Sequence, residues 1–286
     1  MLPTFVIGLR EGLEAALIVG IIAAFLSQQG RRDSLRWMWL GVLIAVLLCG
    51  AAAWALHVAE ENLPQREQEQ LETVIALVAV GMITWMIVWM RRHSADLKGD
   101  LHAKASVALV EGSAIGLVVM AFLAVLREGL ETAVFMLAAF QQSDRPGLTG
   151  TGAVLGIFVA VVLGYLIYRG GVKINLSKFF RITGVVLVLV GAGLFSFAVH
   201  TAHEAGWWHL LLGRAVDLTW LIDPGSVQSA LITGMFGIQP EPTWGELLAF
   251  AIYAIPMTIY VCRPQSRPKA RAEATPTSVT QTVNSV

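Results

Sequence analysis

The chain is 286 residues long, 56% hydrophobic and only 14% charged, with a formal net charge of zero. Soluble domains carry about 25% charged residues, so this composition excludes an ordinary water-soluble fold and points to a multi-pass membrane protein. Zero net charge leaves no basic surface for nucleic acid. The two cysteines, Cys49 and Cys262, lie in apolar stretches and give no basis for a disulfide scaffold or thiolate metal site.

Seven apolar segments reach the roughly 20 residues that a helix needs to cross a bilayer. They run approximately from Leu2 to Leu26, Trp37 to His57, Leu71 to Met90, Gly112 to Phe140, Gly152 to Tyr168, Ile182 to His200 and Trp244 to Val261. The expected fold class is an all-α integral membrane protein with seven transmembrane helices. The first segment lacks a basic n-region and a small-residue cleavage site, and it holds charges where a signal peptide is apolar, so it reads as a retained helix. The connection over about 205–243 carries Trp207, Trp208 and Trp220, with Trp244 following, among leucines, glycines and prolines. That pattern suits interfacial helices at headgroup level and suits a lid packed on the core equally well. Residues 264–286 are rich in Ser, Thr, Pro and Ala and read as a disordered cytoplasmic tail, leaving 1–263 as the membrane domain.

Lysine and arginine collect in alternate connections: Arg31, Arg32 and Arg36, then Arg91 to Lys104, Arg169 to Arg181, and Arg263 to Arg271, against only Arg66, Arg145 and Arg214 between them. The positive-inside rule then puts the N-terminus outside and the C-terminus in the cytoplasm. The pentapeptide Arg-Glu-Gly-Leu-Glu occurs at Arg10 to Glu14 and again 117 residues later, at Arg127 to Glu131. The same offset carries the second and third segments onto the fifth and sixth. Two three-helix units, about 2–90 and 112–203, therefore read as copies, and an odd number of spans per copy inserts them in opposite orientation. This is an inverted-topology repeat, a transporter design with its substrate site near the midplane; the seventh helix, about 244–261, has no counterpart.

Charged side chains at mid-membrane depth cost about 2.5–3.5 kcal/mol each on insertion scales, so six in two matched helices point to function. Retaining them as buried ion pairs for stability alone is poorly motivated, because apolar packing does as well. Glu11 and Glu14 are three residues apart and share a helix face, as do Glu128 and Glu131. If the two faces meet, four carboxylates converge, a hard oxygen ligand set for iron, manganese, magnesium or calcium. Arg10 and Arg127 each precede the second glutamate by four residues and can hold it by charge-assisted hydrogen bonds. Gly12 and Gly129, with Gly8, offer small faces for close helix approach.

Other residues invite a weaker reading. Glu60, Glu61, Glu67, Glu69 and Glu72 surround the second connection, where Glu69 and Glu72 form either a shallow cation-capture site or an ordinary acidic helix start. His200, His203 and Glu204 near the end of the sixth helix form either a transient ligand set or a C-terminal cap. Met82, Met86 and Met90 have helical spacing and read as packing. No His-Glu-x-x-His is present, which excludes a zinc protease motif, and no Glu-x-x-His accompanies the membrane glutamates.

The doubled pentapeptide, seven spans, Pro64-Gln65-Arg66-Glu67-Gln68-Glu69 and His203-Glu204-Ala205-Gly206 together resemble the oxidase-dependent iron transporters, the iron permease family. The resemblance covers nearly all the chain except the tail. It implies high-affinity iron uptake across a bacterial cytoplasmic membrane by a transporter that is not an enzyme and holds no prosthetic group. Iron, Fe2+ or Fe3+, would be the substrate, with Glu11, Glu14, Glu128 and Glu131 matching the family's translocation motif. A periplasmic iron-binding protein and a haem peroxidase are the partners it implies. The residues themselves leave open a permease for manganese or lead, and a membrane redox enzyme built on a carboxylate metal site.

Overall fold

The computed structural model describes residues 1–93, 114–143, 146–169, 176–207, 209, 211–216 and 241–263. The expected tail, Trp208, Trp220 and most of the long connection lie outside them. The described residues form seven helices: α1 (Leu2–Gln28), α2 (Arg32–Glu61), α3 (Gln65–His93), α4 (Ala114–Gln141), α5 (Pro146–Tyr168), α6 (Leu176–Glu204) and α7 (Trp244–Cys262). Most run past the apolar segments read from the sequence, because polar turns continue the helix at one or both ends. Five are long and apolar enough to cross a membrane by length and composition. The other two, α1 and α4, have 27 and 28 residues and carry the charged pentapeptides.

Local chemistry sets the helix ends. Gly30 (φ +69°) and Gly206 (φ +76°) stop α1 and α6 in the left-handed region that a side chain disfavours. In each case the next amide reaches back five residues, Arg31 to the Leu26 carbonyl and Trp207 to the Ala202 carbonyl, completing a Schellman cap. Thr243 caps α7 by accepting from the Glu246 amide at 3.3 Å.

Contacts between ends fix the helix directions. Thr4 Oγ1 donates to the Thr149 carbonyl, Gln141 Nε2 to Glu60 Oε1, and Arg66 Nε to the Ala205 carbonyl, so the starts of α1, α3 and α5 share one end with the finishes of α2, α4 and α6. At the other end Arg91 and Arg181 donate to the carbonyls of Arg263 and Cys262, where α7 finishes. Successive helices therefore alternate in direction, and α1 runs antiparallel to α4. The principal packing partners are α1 with α5, α2 with α4, α3 with α6, and α6 with α7, while α1 and α4 also meet each other.

Glycine makes the first of these contacts close. A β-carbon on Gly156 would collide with the backbone of Phe5 and Leu9, and one on Gly12 would lie 2.8 Å from Ala160 Cβ. The small-residue face containing Gly8 and Gly12 thus seats α5, while Gly129 of α4 seats Cys49 of α2. The largest apolar cluster joins α3, α4, α6 and α7 with Ile7 of α1, and includes Met86, with Met82 packed against it. Met90 joins Leu13, Leu17, Ala160 and Phe180 in a second cluster. Outward-facing Trp37, Leu43, Leu47 and Trp54 leave α2 with an apolar exterior suited to lipid.

Candidate metal-binding site

The geometry of the doubled motif starts from helical periodicity. Within each pentapeptide the arginine reaches its second glutamate one turn on: Arg10 Nε donates to Glu14 Oε1 at 3.3 Å, and Arg127 Nε donates to Glu131 Oε1 at 2.9 Å. The two copies then meet across the α1–α4 contact. Glu11, Glu128 and Glu131 each offer a carboxylate oxygen, all within 4.8 Å of one another. Glu14 stands outside this trio, held by Arg10, yet within electrostatic range of Glu128 and Glu131.

Glu11 is the most constrained of the four. It is 1% exposed, and neither carboxylate oxygen accepts from a fixed donor among the described residues, its close polar neighbour being the Glu128 carboxyl. A buried carboxyl without partners costs several kcal/mol or more when ionised, unless a cation or proton compensates it. Set beside two more carboxylates, it has the donor chemistry of a hard-cation site: oxygen only, anionic and screened from water.

The arginines occupy unequal settings. Arg10 is 1% exposed, lies 5.9 Å from the centre of the Phe180 ring, and leaves Nη1 without a partner among the described residues. Arg127 is 61% exposed. Gly12 and Gly129 face α5 and α2, respectively, so their close contacts support the motif helices from behind the carboxylates.

The remaining sequence candidates gather near the end of the bundle where α1 begins. Glu69 and Glu72 each accept from a glutamine one turn earlier, Gln65 and Gln68, at 3.1 and 3.2 Å. His200 contacts Glu204 at 3.5 Å through Nε2 and Glu246 at 2.9 Å through Nδ1. His203 points Nε2 into a buried position beside Gly245 without a hydrogen-bond partner among the described residues. No three of these five residues bring ligand atoms as close together as the motif glutamates do, among the described residues. Glu246 was not singled out by sequence reasoning. It is 2% exposed, accepts from Thr243 Oγ1 at 3.1 Å and anchors His200. The signal was present as Thr243-x-x-Glu246, a capping-box spacing at the start of the seventh helix.

A bundle of membrane-length helices with buried carboxylates clustered between two antiparallel motif helices defines the class: an integral membrane protein with a glutamate cluster in its helical core. The model of the iron permease FTR1 family matches residues 1–263, and the chain belongs to that family. It is 41% identical over 276 residues to the ferrous iron permeases EfeU of Shigella sonnei and of Escherichia coli O157:H7, covering 96% of this chain and 99% of each relative. To the ferrous iron permease EfeU of Yersinia pestis it is 42% identical over 266 residues, covering 92% of this chain and 94% of the relative. No solved structure matches the chain.

Proposed function

We propose that this protein imports ferrous iron across the bacterial cytoplasmic membrane through a midplane site formed by the glutamates of its two Arg-Glu-Gly-Leu-Glu motifs. The observation that carries this reading is Glu11, sealed from solvent with neither oxygen accepting from a fixed donor among the described residues and set against Glu128 and Glu131. The ferrous state is taken from the names of the similar proteins. Arg10 and Arg127 hold Glu14 and Glu131 and offset carboxylate repulsion when no ion is bound.

Helices α1 to α3 and α4 to α6 act as inverted repeats that rock about the site. The packing supports this pairing: exchanging α1 with α4, α2 with α5 and α3 with α6 turns the α1–α5 contact into the α4–α2 contact and leaves α3–α6 unchanged. The N-terminus faces the periplasm, where Glu69, Glu72, His200, His203 and Glu204 raise the local cation concentration before entry. The protein works alongside a periplasmic iron-binding protein and a haem peroxidase.

Uptake of radioactive Fe2+ into proteoliposomes under anaerobic conditions tests the reading. Purified wild-type protein should transport alone, and Glu11→Gln and Glu128→Gln should not, while both variants insert normally. Wild-type rates from Glu11→Gln would remove the site from the pathway.

A further inference from the structure

The two motifs have the same sequence but not the same surroundings. Arg10 is buried beneath Phe180, and Val6 and Leu13 on the same side of α1 are 8% and 0% exposed. Their counterparts on α4 are open: Arg127 is 61% exposed, Leu123 54% and Leu130 41%. The carboxylates divide along the same line. Glu131, beside the open arginine, belongs to the close trio, whereas Glu14, beside the sealed arginine, does not. Glu11 and Glu128 are both in the trio and both buried.

We propose that the ion is handed from Glu131 to Glu14 during transport, while Glu11 and Glu128 hold it throughout. This rests on the inverted-repeat iron permease described above. In such a protein, exchanging the environments of the two halves generates the opposite conformation. The structure in hand corresponds to one conformation, with Glu11, Glu128 and Glu131 as the set. The exchanged conformation has Glu128, Glu11 and Glu14 as the set, with Arg127 sealed and Arg10 exposed. Glu131 belongs to the trio with its arginine contact intact at 2.9 Å, so Glu14 can enter the exchanged set with Arg10 still attached, from a contact that is now the longer of the two at 3.3 Å. Three carboxylates at a time, two constant and one exchanged, keep the ion liganded while its exit side changes.

The test separates binding from transport. Fe2+ affinity is measured anaerobically on purified, monodisperse protein, and uptake on the same variants in proteoliposomes. Glu11→Gln and Glu128→Gln remove constant ligands and should weaken Fe2+ binding about a hundredfold or more. Glu14→Gln and Glu131→Gln should each bind within about tenfold of wild type, since one complete set survives in each, yet neither should transport. If Glu14→Gln weakens binding as much as Glu11→Gln, the four glutamates act as one fixed site and the hand-over is wrong. Wild-type transport by Glu14→Gln would also overturn it. Glu14→Asp, with its carboxylate drawn back by one methylene, replaces the glutamine variant if that is not monodisperse, with the same two outcomes. Absence of Fe2+ binding by the wild-type protein would instead refute the iron permease reading itself.

Discussion

Cys49 of α2 lies directly over Gly129 of α4, so close that a β-carbon on the glycine would sit 2.6 Å from the sulfur and 3.2 Å from Cys49 Cβ. The sulfur also contacts the Leu126 carbonyl at 3.5 Å. Gly129→Ala should therefore overpack this contact and destabilise the protein by about 1–3 kcal/mol. Adding Cys49→Ala removes the sulfur and leaves a contact that a shift of a few tenths of an ångström relieves. Thermal unfolding in detergent should show the double variant more stable than Gly129→Ala alone, and no recovery would mean that the clash lies elsewhere.

The sealed and open arginines should differ in structural weight. Arg10→Ala leaves Glu14 without its ion-pair partner in a site where the arginine was 1% exposed, a change expected to cost about 3–5 kcal/mol. Arg127→Ala breaks a shorter bond, but from a side chain 61% exposed with little protein packed over it, and should cost less than Arg10→Ala. Comparing the two unfolding temperatures checks this ordering. Equal losses would contradict it.

Glu11 is expected to reduce stability when no ion is bound. Its carboxyl accepts from no fixed donor among the described residues and faces further carboxylates, so Glu11→Met, of similar volume and without a polar group, should raise the unfolding temperature of ion-free protein, by about 1–3 kcal/mol in free energy. The same substitution should abolish the stabilisation that Fe2+ gives to the wild type. A fall in ion-free stability would show that Glu11 has structural partners.

Glu246 ties the unrepeated seventh helix to the sixth. Its carboxylate accepts from Thr243 Oγ1 at the start of α7 and pairs with His200 near the end of α6. Glu246→Ala should cost about 1–3 kcal/mol by leaving these groups unpaired. Limited proteolysis at the 241–243 connection should then speed up relative to wild type.

Much of the fold was legible before any coordinates. Apolar length defined seven helices, because a bilayer demands about 20 apolar residues whatever the tertiary arrangement. Spacing of three and four residues placed both glutamates of each motif on one face and each arginine within reach of its second glutamate, since these relations depend only on the helical period. The roles of Glu246 and Cys49 were not legible, because both depend on what a distant helix presents, a histidine in one case and a glycine in the other.

Sequence alone thus determined which residues could form a cation site: the four glutamates, each pair beside its arginine, of two identical pentapeptides inside membrane-length helices. It could not distinguish the two copies, since identical sequences predict identical local geometry. Only the tertiary structure made them unequal. Phe180 and its neighbours seal α1 around Arg10, nothing comparable covers Arg127 among the described residues, and three of the four glutamates come together while Glu14 stays with its arginine. Packing between helices far apart in the chain decides that difference, and no period within a helix encodes it.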